Sequence, residues 1–431
     1  MKANKSSMII LIALILGIVV GYACNQSAAT PEAAKEIAGY FSILTDVFLR
    51  MIKMIIAPLV FATLAAGLAN IGDSKTVGRI GARALGWFLC ASLVSLTLGL
   101  IFANLLEPGK NLNMPLPDVG TATNLKTGAL NLKDFITQVF PKSIFEAMAG
   151  NAVLQILVFA VFFGLALGNM HNQVAMSLVK TLEEVVHVML KVTDYVMRFA
   201  PMGVFGAVAS VVTVQGVGIL TVFGKLMGSL YLSLFALWAI LIFAGYMVLG
   251  KDIGRLLKLI RNPMLIGFST ASSESAYPKV MEQLEKFGVS NRITGFVLPL
   301  GYSFNLDGSM LYTGFAALFV SQAYNIPLTL GEQITMLLVL MVSSKGIAGV
   351  PRASLVVVAA VLPMFHLPEA GLLLIMGVDH FMDMGRTATN VLGNTVATAV
   401  VAKWENAIEP VNAAYDDQDE ALPEPEERAK A

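Results

Sequence analysis

The chain has 431 residues, of which 56% are hydrophobic and 13% are charged, with 29 basic and 29 acidic side chains. Soluble domains carry about 25% charged residues, so this composition is typical of an integral membrane protein. The balanced charge argues against a nucleic-acid binder and against a polybasic surface anchor. The two cysteines and four histidines are scattered without metal-ligand or redox spacing, so neither a metal centre, a disulfide framework nor a prosthetic cofactor is predicted.

The first apolar segments predict two membrane helices. Residues 8–24 follow two lysines, and we interpret them as an uncleaved first transmembrane helix because residues 21–24 make a poor cleavage box and more spans follow. Residues 40–70 are too long for one perpendicular crossing, which predicts a tilted or interfacial first half. The loop around residue 75 is basic and the preceding loop is mixed, so the positive-inside rule places the N-terminus and the basic loop in the cytoplasm.

Four more spans are predicted before residue 250, at residues 82–105, 135–167, 178–212 and 219–249. The fourth span of the chain is predicted to break near Gly150 and Asn151, and the fifth to kink at Pro201. Residues 107–133 are polar and contain several prolines, which is typical of a loop, here on the outside.

Two later segments have an apolar, polar, apolar pattern with short arms. Residues 334–342 and 355–365 flank a Ser/Gly-rich stretch at 343–354, and residues 253–287 repeat the pattern with a tip at 269–275 and a second arm entered at Pro278. An arm of about ten residues is about 15 Å long as a helix, which is half of a bilayer. The pattern predicts two re-entrant hairpins; two interfacial loops are the alternative, which fits poorly with tips dominated by Ser, Gly and Ala.

Each hairpin precedes a full span with a polar interruption. Residues 292–324 are interrupted at 305–309, and residues 377–403 carry several polar side chains. This repetition is typical of an inverted-repeat secondary transporter. The predicted fold is an all-α polytopic membrane protein with eight transmembrane helices and two re-entrant helical hairpins. The acidic tail at residues 405–431 is predicted to be disordered and cytoplasmic.

One polar stripe runs along the eighth predicted helix. At about 100° per residue, its members lie within roughly 60° of one line along the helix: Asp383, Arg386, Thr387, Asn390 and Asn394. A charged side chain at bilayer depth costs about 2.5–3.5 kcal/mol, so it normally faces a protein interior or a watery cavity. A self-neutralising Asp383–Arg386 pair is the alternative. The further polar residues on the same stripe favour a binding face for a small polar solute.

These motifs resemble those of the dicarboxylate/amino acid:cation symporter family, the glutamate transporter family. The matching segments occur in the family's order, at residues 78–81, 272–273, 305–308, 346–351, 383–387 and 390. The resemblance covers nearly the whole chain. It implies a homotrimer in the lipid of the bacterial inner membrane, with both termini in the cytoplasm.

The resemblance also implies a division of each protomer. Residues 1–81 and 107–213 would form a scaffold, and residues 82–106 and 214–404 a transport domain that slides across the membrane as an elevator. The second hairpin would gate the outside.

The expected substrate contacts follow from the resemblance and agree with the chemistry of the side chains. Arg386 offers a planar fork for a side-chain carboxylate, and Asp383 offers a partner for an ammonium group. The other implied substrate contacts are Thr387, Asn390, Ser272, Ser273, Ser309, Gly349 and Val350. Because dicarboxylate-selective relatives lack an aspartate at position 383, and because a dicarboxylate would meet like charge there, aspartate or glutamate is favoured over succinate or malate.

The chain departs from sodium-coupled members of the family in its cation sites. Asn394 stands where they have an aspartate, and Phe88 and Ala91 stand where they have Tyr and Thr. Two sites made of hard oxygen ligands thereby lose ligands and one formal charge, so protons are favoured over sodium as the coupling ion. A residual sodium site at Asn305, Asp307 and Asn390 is the alternative. The residues assigned to coupling are Asp307, Asn305, Asn394, Ser303, Ser344, Ser92 and Glu274.

Two carboxylates are candidates for the proton carrier. Thr313 occupies the position where proton-linked animal members carry an acid, which leaves Glu274 and Asp307. A desolvated carboxylate can load and release a proton. A structural pairing of Glu274 with a base such as Lys345 is equally supported, and Arg352 has no assigned role.

Three classes of function remain at this point. The first is symport of acidic amino acids, and the second is transport of C4-dicarboxylates on the same fold. The third is an anion channel or a membrane enzyme. An enzyme is disfavoured because the sequence shows no base–nucleophile arrangement or phosphate loop, and a channel because ion passage does not need so specific a set of donors and acceptors.

Overall fold

The computed structural model describes residues 2–71, 74–110, 116–117, 137, 139–170, 173–216, 223–344, 353–376 and 378–409. Within these ranges the chain is almost entirely helical, and its one β feature is an isolated bridge between Val289 and Ile408. Most of the predicted outside loop, residues 345–352 of the second hairpin and residues 410–431 lie outside the described residues. The sequence-based assignments of Lys345, Gly349, Val350 and Arg352 therefore stay predictions.

Three long helices begin the chain. Helix α1 spans Lys2–Ser27, α2 spans Pro31–Ile71 and α3 spans Ser74–Leu106. Helix α2 has 41 residues and continues through Pro58, which agrees with a segment too long for one perpendicular crossing.

The fourth and fifth spans are interrupted where the sequence predicts. Helices α4 (Ile144–Ala149) and α5 (Val153–Asn169) are separated by a turn at which Asn151 has a left-handed φ of 50°. Helices α6 (Gln173–Met197) and α7 (Ala200–Gln215) meet at a bend of 49°. Pro201 lies in the first turn of α7, where its missing N–H is not needed. Both predicted breaks are confirmed.

Three short helices follow α8 (Gly224–Leu249) in the region of the first predicted hairpin. They are α9 (Ile253–Leu259), α10 (Arg261–Thr270) and α11 (Ser273–Phe287). We call α10 and α11 with their connection hairpin 1. Its tip is shorter than the predicted residues 269–275, because the hydroxyls of Thr270 and Ser275 bond at 2.7 Å and Ala271 turns the chain with a φ of 49°. Pro278 lies inside α11 rather than at its start.

Six further helices, separated by breaks in the helical structure, complete the described part of the chain. They are α12 (Asn291–Phe304), α13 (Asp307–Ala323), α14 (Leu330–Ser343), α15 (Ala353–Val361), α16 (Leu372–Met376) and α17 (Asp379–Trp404), with short 3₁₀ turns at Leu362–Phe365 and Glu369–Gly371.

Helix packing divides the described chain into two groups. Helix α2 packs against α5, α6 and α7, and α1 packs against α7. Helix α17 packs against α3, α8, α10, α11, α12 and α13, and α13 packs against α3. The groups meet where α12 and α11 lie against α2 and where α10 lies against α1 and α7. Helix α17 is thus enclosed by protein, and its residues 384–402 are buried on every face.

The length and hydropathy of the described helices support only part of the predicted membrane topology. Four described helices are long and apolar enough to cross a membrane, or five when the bent pair α6 and α7 counts as one span. Helix α17 is long enough but carries the polar stripe. The chain is a helical membrane protein, and the count of eight spans stays a prediction.

The residues after α17 form a short strap across one end of the helices. We call residues 405–409 the C-terminal strap. The Glu409 N–H donates to the Gly288 carbonyl at 2.8 Å, and the Ser290 N–H donates to the Ala407 carbonyl at 3.0 Å. Gly288 has a φ of 104°, and a Cβ there would lie 2.5 Å from the Glu409 carbonyl oxygen. The prediction of disorder is therefore wrong for residues 405–409, and residues 410–431 lie outside the described residues.

Candidate functional site

The gap between α12 and α13 brings backbone N–H groups to the centre of the helices that pack around α17. Asn305 and Leu306 are not helical, so the first N–H groups of α13 have no partner within the helix. The Asn390 Oδ1 atom of α17 accepts from the N–H of Gly308 at 2.9 Å and from that of Ser309 at 3.4 Å. Its Nδ2 lies 3.3 Å from the Ser309 Oγ. The predicted interruption is confirmed, and Asn390 caps it from a different helix.

A buried acid lies beside this gap. The Asn305 Nδ2 donates to the Asp307 Oδ2 at 3.1 Å and to the Asn394 Oδ1 at 3.2 Å, and the Ser95 hydroxyl of α3 lies 3.4 Å from the Asp307 Oδ1. All four side chains are fully buried. The carboxylate fits against α17 because residue 393 is glycine, and a Cβ at Gly393 would overlap the Asp307 Oδ2. We call these residues the Asp307 cluster.

About two turns before Gly393 and Asn394 on α17, Arg386 lies between two acids. It is 2% exposed, and its Nη2 lies 3.0 Å from the Asp383 Oδ1 and 3.3 Å from the Asp379 Oδ1. Its Cζ lies 4.0 Å from the centre of the Tyr312 ring, and the Tyr312 hydroxyl donates to the Asp379 Oδ1 at 3.1 Å. The Nε and Nη1 atoms of Arg386 have no hydrogen-bond partner among the described residues. We call these residues the Arg386 cluster.

Asp379, Tyr312 and Ser95 are contacts of the site that the sequence reasoning missed. Asp379 extends the polar stripe one turn toward the start of α17, at the i, i+4, i+7 spacing that it makes with Asp383 and Arg386. That spacing was a usable signal. Tyr312 and Ser95 belong to other helices, so only the packing brings them to the site.

The two clusters together carry excess negative charge. Three carboxylates, those of Asp307, Asp379 and Asp383, face one guanidinium, that of Arg386, which leaves an excess of two negative charges when all are ionised. A buried net charge is costly unless a counter-ion or a proton neutralises it. The arrangement therefore suits co-binding of cations or protons.

Helix α10 of hairpin 1 lies beside the stripe. A Cβ at Gly267 of α10 would lie 3.2 Å from methyl groups of both Thr387 and Val391, so the two helices are in close contact. Ser272 and Ser273 follow at the tip and the first position of α11. The Thr387 hydroxyl lies 3.5 Å from the Asp383 Oδ1. The structure thus places α10 against the polar stripe, and the roles of Ser272 and Ser273 stay predictions.

The remaining predicted coupling residues lie in several places. Ser92 and Ser303 are buried on α3 and near the end of α12. The Ser344 hydroxyl donates to the Met341 carbonyl at 3.0 Å. Glu274 is half-buried in the first turn of α11. Among the described residues, no group of three or more His, Cys, Asp and Glu side chains is arranged to hold a metal ion.

Part of the α3 surface near the Asp307 cluster is apolar, beside the Ser95 hydroxyl. The ring of Phe88 lies 3.5 Å from the position that a Cβ of Gly301 would take, and the Asn394 Oδ1 lies 2.5 Å from the same position. Phe88 and Ala91 are both buried. At these positions α3 presents carbon rather than oxygen to the cluster.

Comparison with known proteins covers nearly the whole chain. The sequence model of the sodium:dicarboxylate symporter family matches residues 7–404. A C4-dicarboxylate transport protein of Laribacter hongkongensis is 37% identical over 405 residues, which are 93% of this chain and 89% of that protein. A proton/sodium-glutamate symport protein of Bacillus caldotenax is 39% identical over 408 residues, which are 92% of this chain and 93% of that protein. A C4-dicarboxylate transport protein of Citrifermentans bemidjiense is 40% identical over 405 residues, 93% and 90% of the two chains.

Proposed function

The chain belongs to the sodium:dicarboxylate symporter family, and from that premise we propose that it imports acidic amino acids, aspartate or glutamate, together with protons across the bacterial inner membrane. The observation that carries this proposal is the Arg386 cluster. A guanidinium with unpartnered N–H groups and a neighbouring carboxylate that stays one-third exposed, that of Asp383, suits a solute with both an acid and an ammonium group.

Each group of the solute has a partner in this proposal. Arg386 Nε and Nη1 bind the side-chain carboxylate, and the exposed part of the Asp383 carboxylate binds the ammonium group. Thr387 and the Asn390–Ser309 pair add polar contacts. The α-carboxylate binds the N–H and hydroxyl groups of the two hairpin tips, at Ser272, Ser273, Gly349 and Val350.

Protons are favoured as the coupling ion by the Asp307 cluster. A sodium ion there would need several oxygen ligands directed at one point. The Asn305 Nδ2 instead donates to both the Asp307 and Asn394 oxygens, so an N–H group already uses the acceptors. On the α3 side, the Ser95 hydroxyl already donates to the Asp307 carboxylate, and Phe88 presents only carbon. A carboxylate enclosed in this way can be neutralised by a proton, and Asp307 and Glu274 are the proposed carriers.

The proposed movement is an elevator within a homotrimer. The helices that pack around α2 would form the scaffold, and those that pack around α17 would form the transport domain. Close approach marks their boundary, since a Cβ at Gly295 of α12 would lie 2.5 Å from the Thr63 Cγ2 of α2. The bound solute would move with α17 and hairpin 1 past that boundary.

A second candidate is proton-coupled or sodium-coupled transport of C4-dicarboxylates. It is favoured by relatives of nearly equal identity whose names specify C4-dicarboxylate transport, while other relatives are named proton/sodium-glutamate symport proteins. Overall identity does not separate the two substrate classes, so the choice depends on the role of Asp383.

Uptake into proteoliposomes tests the proposal. Labelled aspartate, glutamate and succinate are supplied separately, and proton and sodium gradients are imposed one at a time. We expect accumulation of aspartate or glutamate that follows the proton gradient in the absence of sodium. Uptake that needs sodium at fixed pH overturns the proton assignment, and preferred uptake of succinate overturns the amino-acid assignment.

A further inference from the structure

Four buried oxygen atoms of hairpin 1 and α12 have no hydrogen-bond partner among the described residues. They are the Ser269 Oγ, the Tyr277 Oη, the Tyr302 Oη and the Glu285 Oε1. The last three belong to α11 and α12. A buried polar atom without a hydrogen-bond partner destabilises the folded protein. Their occurrence in one neighbourhood calls for an explanation beyond packing, because buried polar groups are normally satisfied.

Glu274, Tyr277 and Glu285 lie on α11, and Tyr302 of α12 packs against Tyr277. The rings of Tyr277 and Tyr302 are 5.1 Å apart between centroids and nearly perpendicular, at 82°. Glu274 interacts electrostatically with Tyr302, and Glu285 does so with Tyr277. Glu274 and Glu285 are eleven residues apart, so they lie on nearly the same face of the helix, about 16 Å apart along its axis. One acid is next to the hairpin tip and the other is near the far end of the hairpin.

We propose that Glu274, Tyr302, Tyr277 and Glu285 form a proton path along hairpin 1, leading from the solute site to the cytoplasmic end of α11. This inference rests on the proton coupling proposed above. It assigns to Tyr277, Tyr302 and Glu285 a role in proton release, and to Glu274 the role of donor at the tip.

The transfer conserves protons and charge at every step. Each transfer passes through a bridging water, because the Tyr277 Oη, the Tyr302 Oη and the Glu285 Oε1 are not hydrogen-bonded to one another. The protonated Glu274 gives its proton toward the Tyr302 oxygen, and the Tyr302 hydroxyl gives its own proton onward to the Tyr277 oxygen. The Tyr277 hydroxyl proton then passes to the Glu285 carboxylate. Both tyrosines are neutral before and after the transfer. Glu274 ends as a carboxylate and Glu285 as a carboxylic acid.

The surroundings of Glu285 suit a point of exit. Glu282, one turn earlier, is held by Lys279 at 2.5 Å and by Lys286 at 3.1 Å. Lys279 also lies 3.9 Å from Asp194 of α6. These pairs leave Glu285 as an acid whose buried oxygen has no partner of its own among the described residues.

Charged groups on neighbouring elements also lie at this end of α11, including Lys191 beside Asp194 on α6, Arg255 on α9, and Glu405 and Glu409 in the C-terminal strap. Arg255 of α9 donates to the Lys286 carbonyl at 2.8 Å rather than to a carboxylate. The Gly288 N–H donates to the Glu285 carbonyl at 2.9 Å, and the C-terminal strap binds Gly288. The exit therefore lies at the end of the bundle where the basic loop before α3 is predicted to face the cytoplasm.

A purely structural role does not explain the two hydroxyls. A phenylalanine at position 277 or 302 would keep the ring contact and would remove an unpaired buried oxygen, so it should leave the folded protein equally stable or more stable. The conservative variants Tyr277→Phe and Tyr302→Phe are thus clean probes of proton transfer.

The test compares net uptake with exchange in proteoliposomes. Exchange of internal for external labelled solute returns the loaded carrier and needs no proton release, whereas proton-driven net uptake needs release in every cycle. We expect Tyr277→Phe, Tyr302→Phe and Glu285→Gln to slow net uptake and the linked internal acidification by about tenfold or more, with exchange changed by less than about twofold. The matched controls are Tyr246→Phe and Glu146→Gln, at exposed positions outside hairpin 1, which should change neither rate.

Each other outcome contradicts the inference. If net uptake and exchange fall together in the tyrosine variants, the hydroxyls serve structure and the path is wrong. If both rates stay at the wild-type level while the wild-type protein acidifies the vesicles, the path is wrong and the proton coupling stands. If the wild-type protein accumulates solute without moving protons, the proposed coupling and the path are both wrong.

Discussion

Two groups of arginine and carboxylate side chains lie on helix α17 and just beyond its end, and they have opposite ratios of acid to base. Within the bundle, one arginine, Arg386, lies between two acids and is 2% exposed. Just beyond the end of the helix, one acid, Glu405, lies 2.8 Å from both Arg79 and Arg83, whose side chains are 53% and 39% exposed. The inner group has excess negative charge and the outer group has excess positive charge.

The two groups differ mainly in how far their arginine side chains are exposed to solvent. Removing one partner of a buried ion pair costs about 3–5 kcal/mol because an unpaired charge is left in the protein. An exposed pair contributes about 0–1 kcal/mol because water and salt screen it. The inner group therefore destabilises the folded protein unless a solute binds to it. The outer group is suited to holding the first turns of α3 against the C-terminal strap.

Arg386→Ala is expected to have the largest effect. It removes the proposed partner of the solute carboxylate and leaves Asp379 and Asp383 close together without their cation. We expect uptake of acidic solutes to fall by at least about 100-fold, in line with the loss of about 3 kcal/mol or more. Initial rates in proteoliposomes measure this.

The matched control for that variant comes from the outer group. Arg83→Ala removes an arginine that contacts Glu405 and the Trp404 carbonyl, and uptake should stay within about twofold of wild type because the pair is partly exposed. Equal losses in Arg386→Ala and Arg83→Ala would contradict the distinction between the groups.

Gly393→Ala tests how tightly the buried acid near the inner group is held. The added methyl would occupy the place of the Asp307 Oδ2, so the carboxylate must leave its position against α17. Displacing buried polar groups costs about 1–3 kcal/mol, and we expect uptake to fall by at least about tenfold. Gly228→Ala on α8, where a Cβ meets no atom within 4 Å, is the control and should transport normally. Normal transport by Gly393→Ala would show that the Asp307 position is not needed.

Asp383→Ser separates the two acids of the inner group. Asp383 is 33% exposed and Asp379 only 3%, so we expect Asp383 to meet the ammonium group and Asp379 to hold Arg386 in place. The variant should shift the ratio of succinate to aspartate uptake by about tenfold toward succinate, since a like charge no longer faces the dicarboxylate. Competition between the two labelled solutes measures the shift.

The companion variant Asp379→Asn should lower the uptake of both solutes and leave their ratio unchanged. Its carboxylate accepts from Tyr312 and pairs with Arg386, so its loss disturbs the position of the guanidinium rather than the choice of solute. A ratio that shifts equally in both variants would remove the specific role of Asp383.

The sequence predicted the features that appear as a residue pattern within a single segment. The stripe from Asp383 to Asn394 interrupts an apolar helix, and the break at Asn305 interrupts another, so composition and period were enough. Asp379 was missed although it continues the stripe, and side chains on a helix do reach back toward its start, as Arg386 does here.

The rest depends on which helices become neighbours. Tyr312 stacks on Arg386, and Ser95 approaches Asp307, across helix interfaces that no local pattern specifies. The C-terminal strap pairs with the turn at Gly288 through backbone groups in a segment too short to have a period. Such contacts follow from packing geometry and become visible only with the structure.

Glu405→Gln should have the smallest effect and completes the comparison. The Arg79 side chain hydrogen-bonds the Glu405 carboxylate, and this lowers the pKa of Glu405. A lowered pKa means that the stabilisation is present above the ordinary glutamate value of about 4.3 and is lost as pH falls through the folded-state value. The Glu405 side chain is only 3% exposed, but both arginines reach solvent, which screens the pairs. At pH 7 the variant should therefore unfold at most about 2 °C below wild type, because pairs screened by solvent contribute about 0–1 kcal/mol. Thermal unfolding of the purified protein should show the two curves converge as the pH falls below about 4, with Glu32→Gln, at an exposed position of α2, as the control. A difference that grows as the pH falls, or a loss of transport at pH 7, would mean that the outer group acts in the transport cycle rather than as a fastening of the strap.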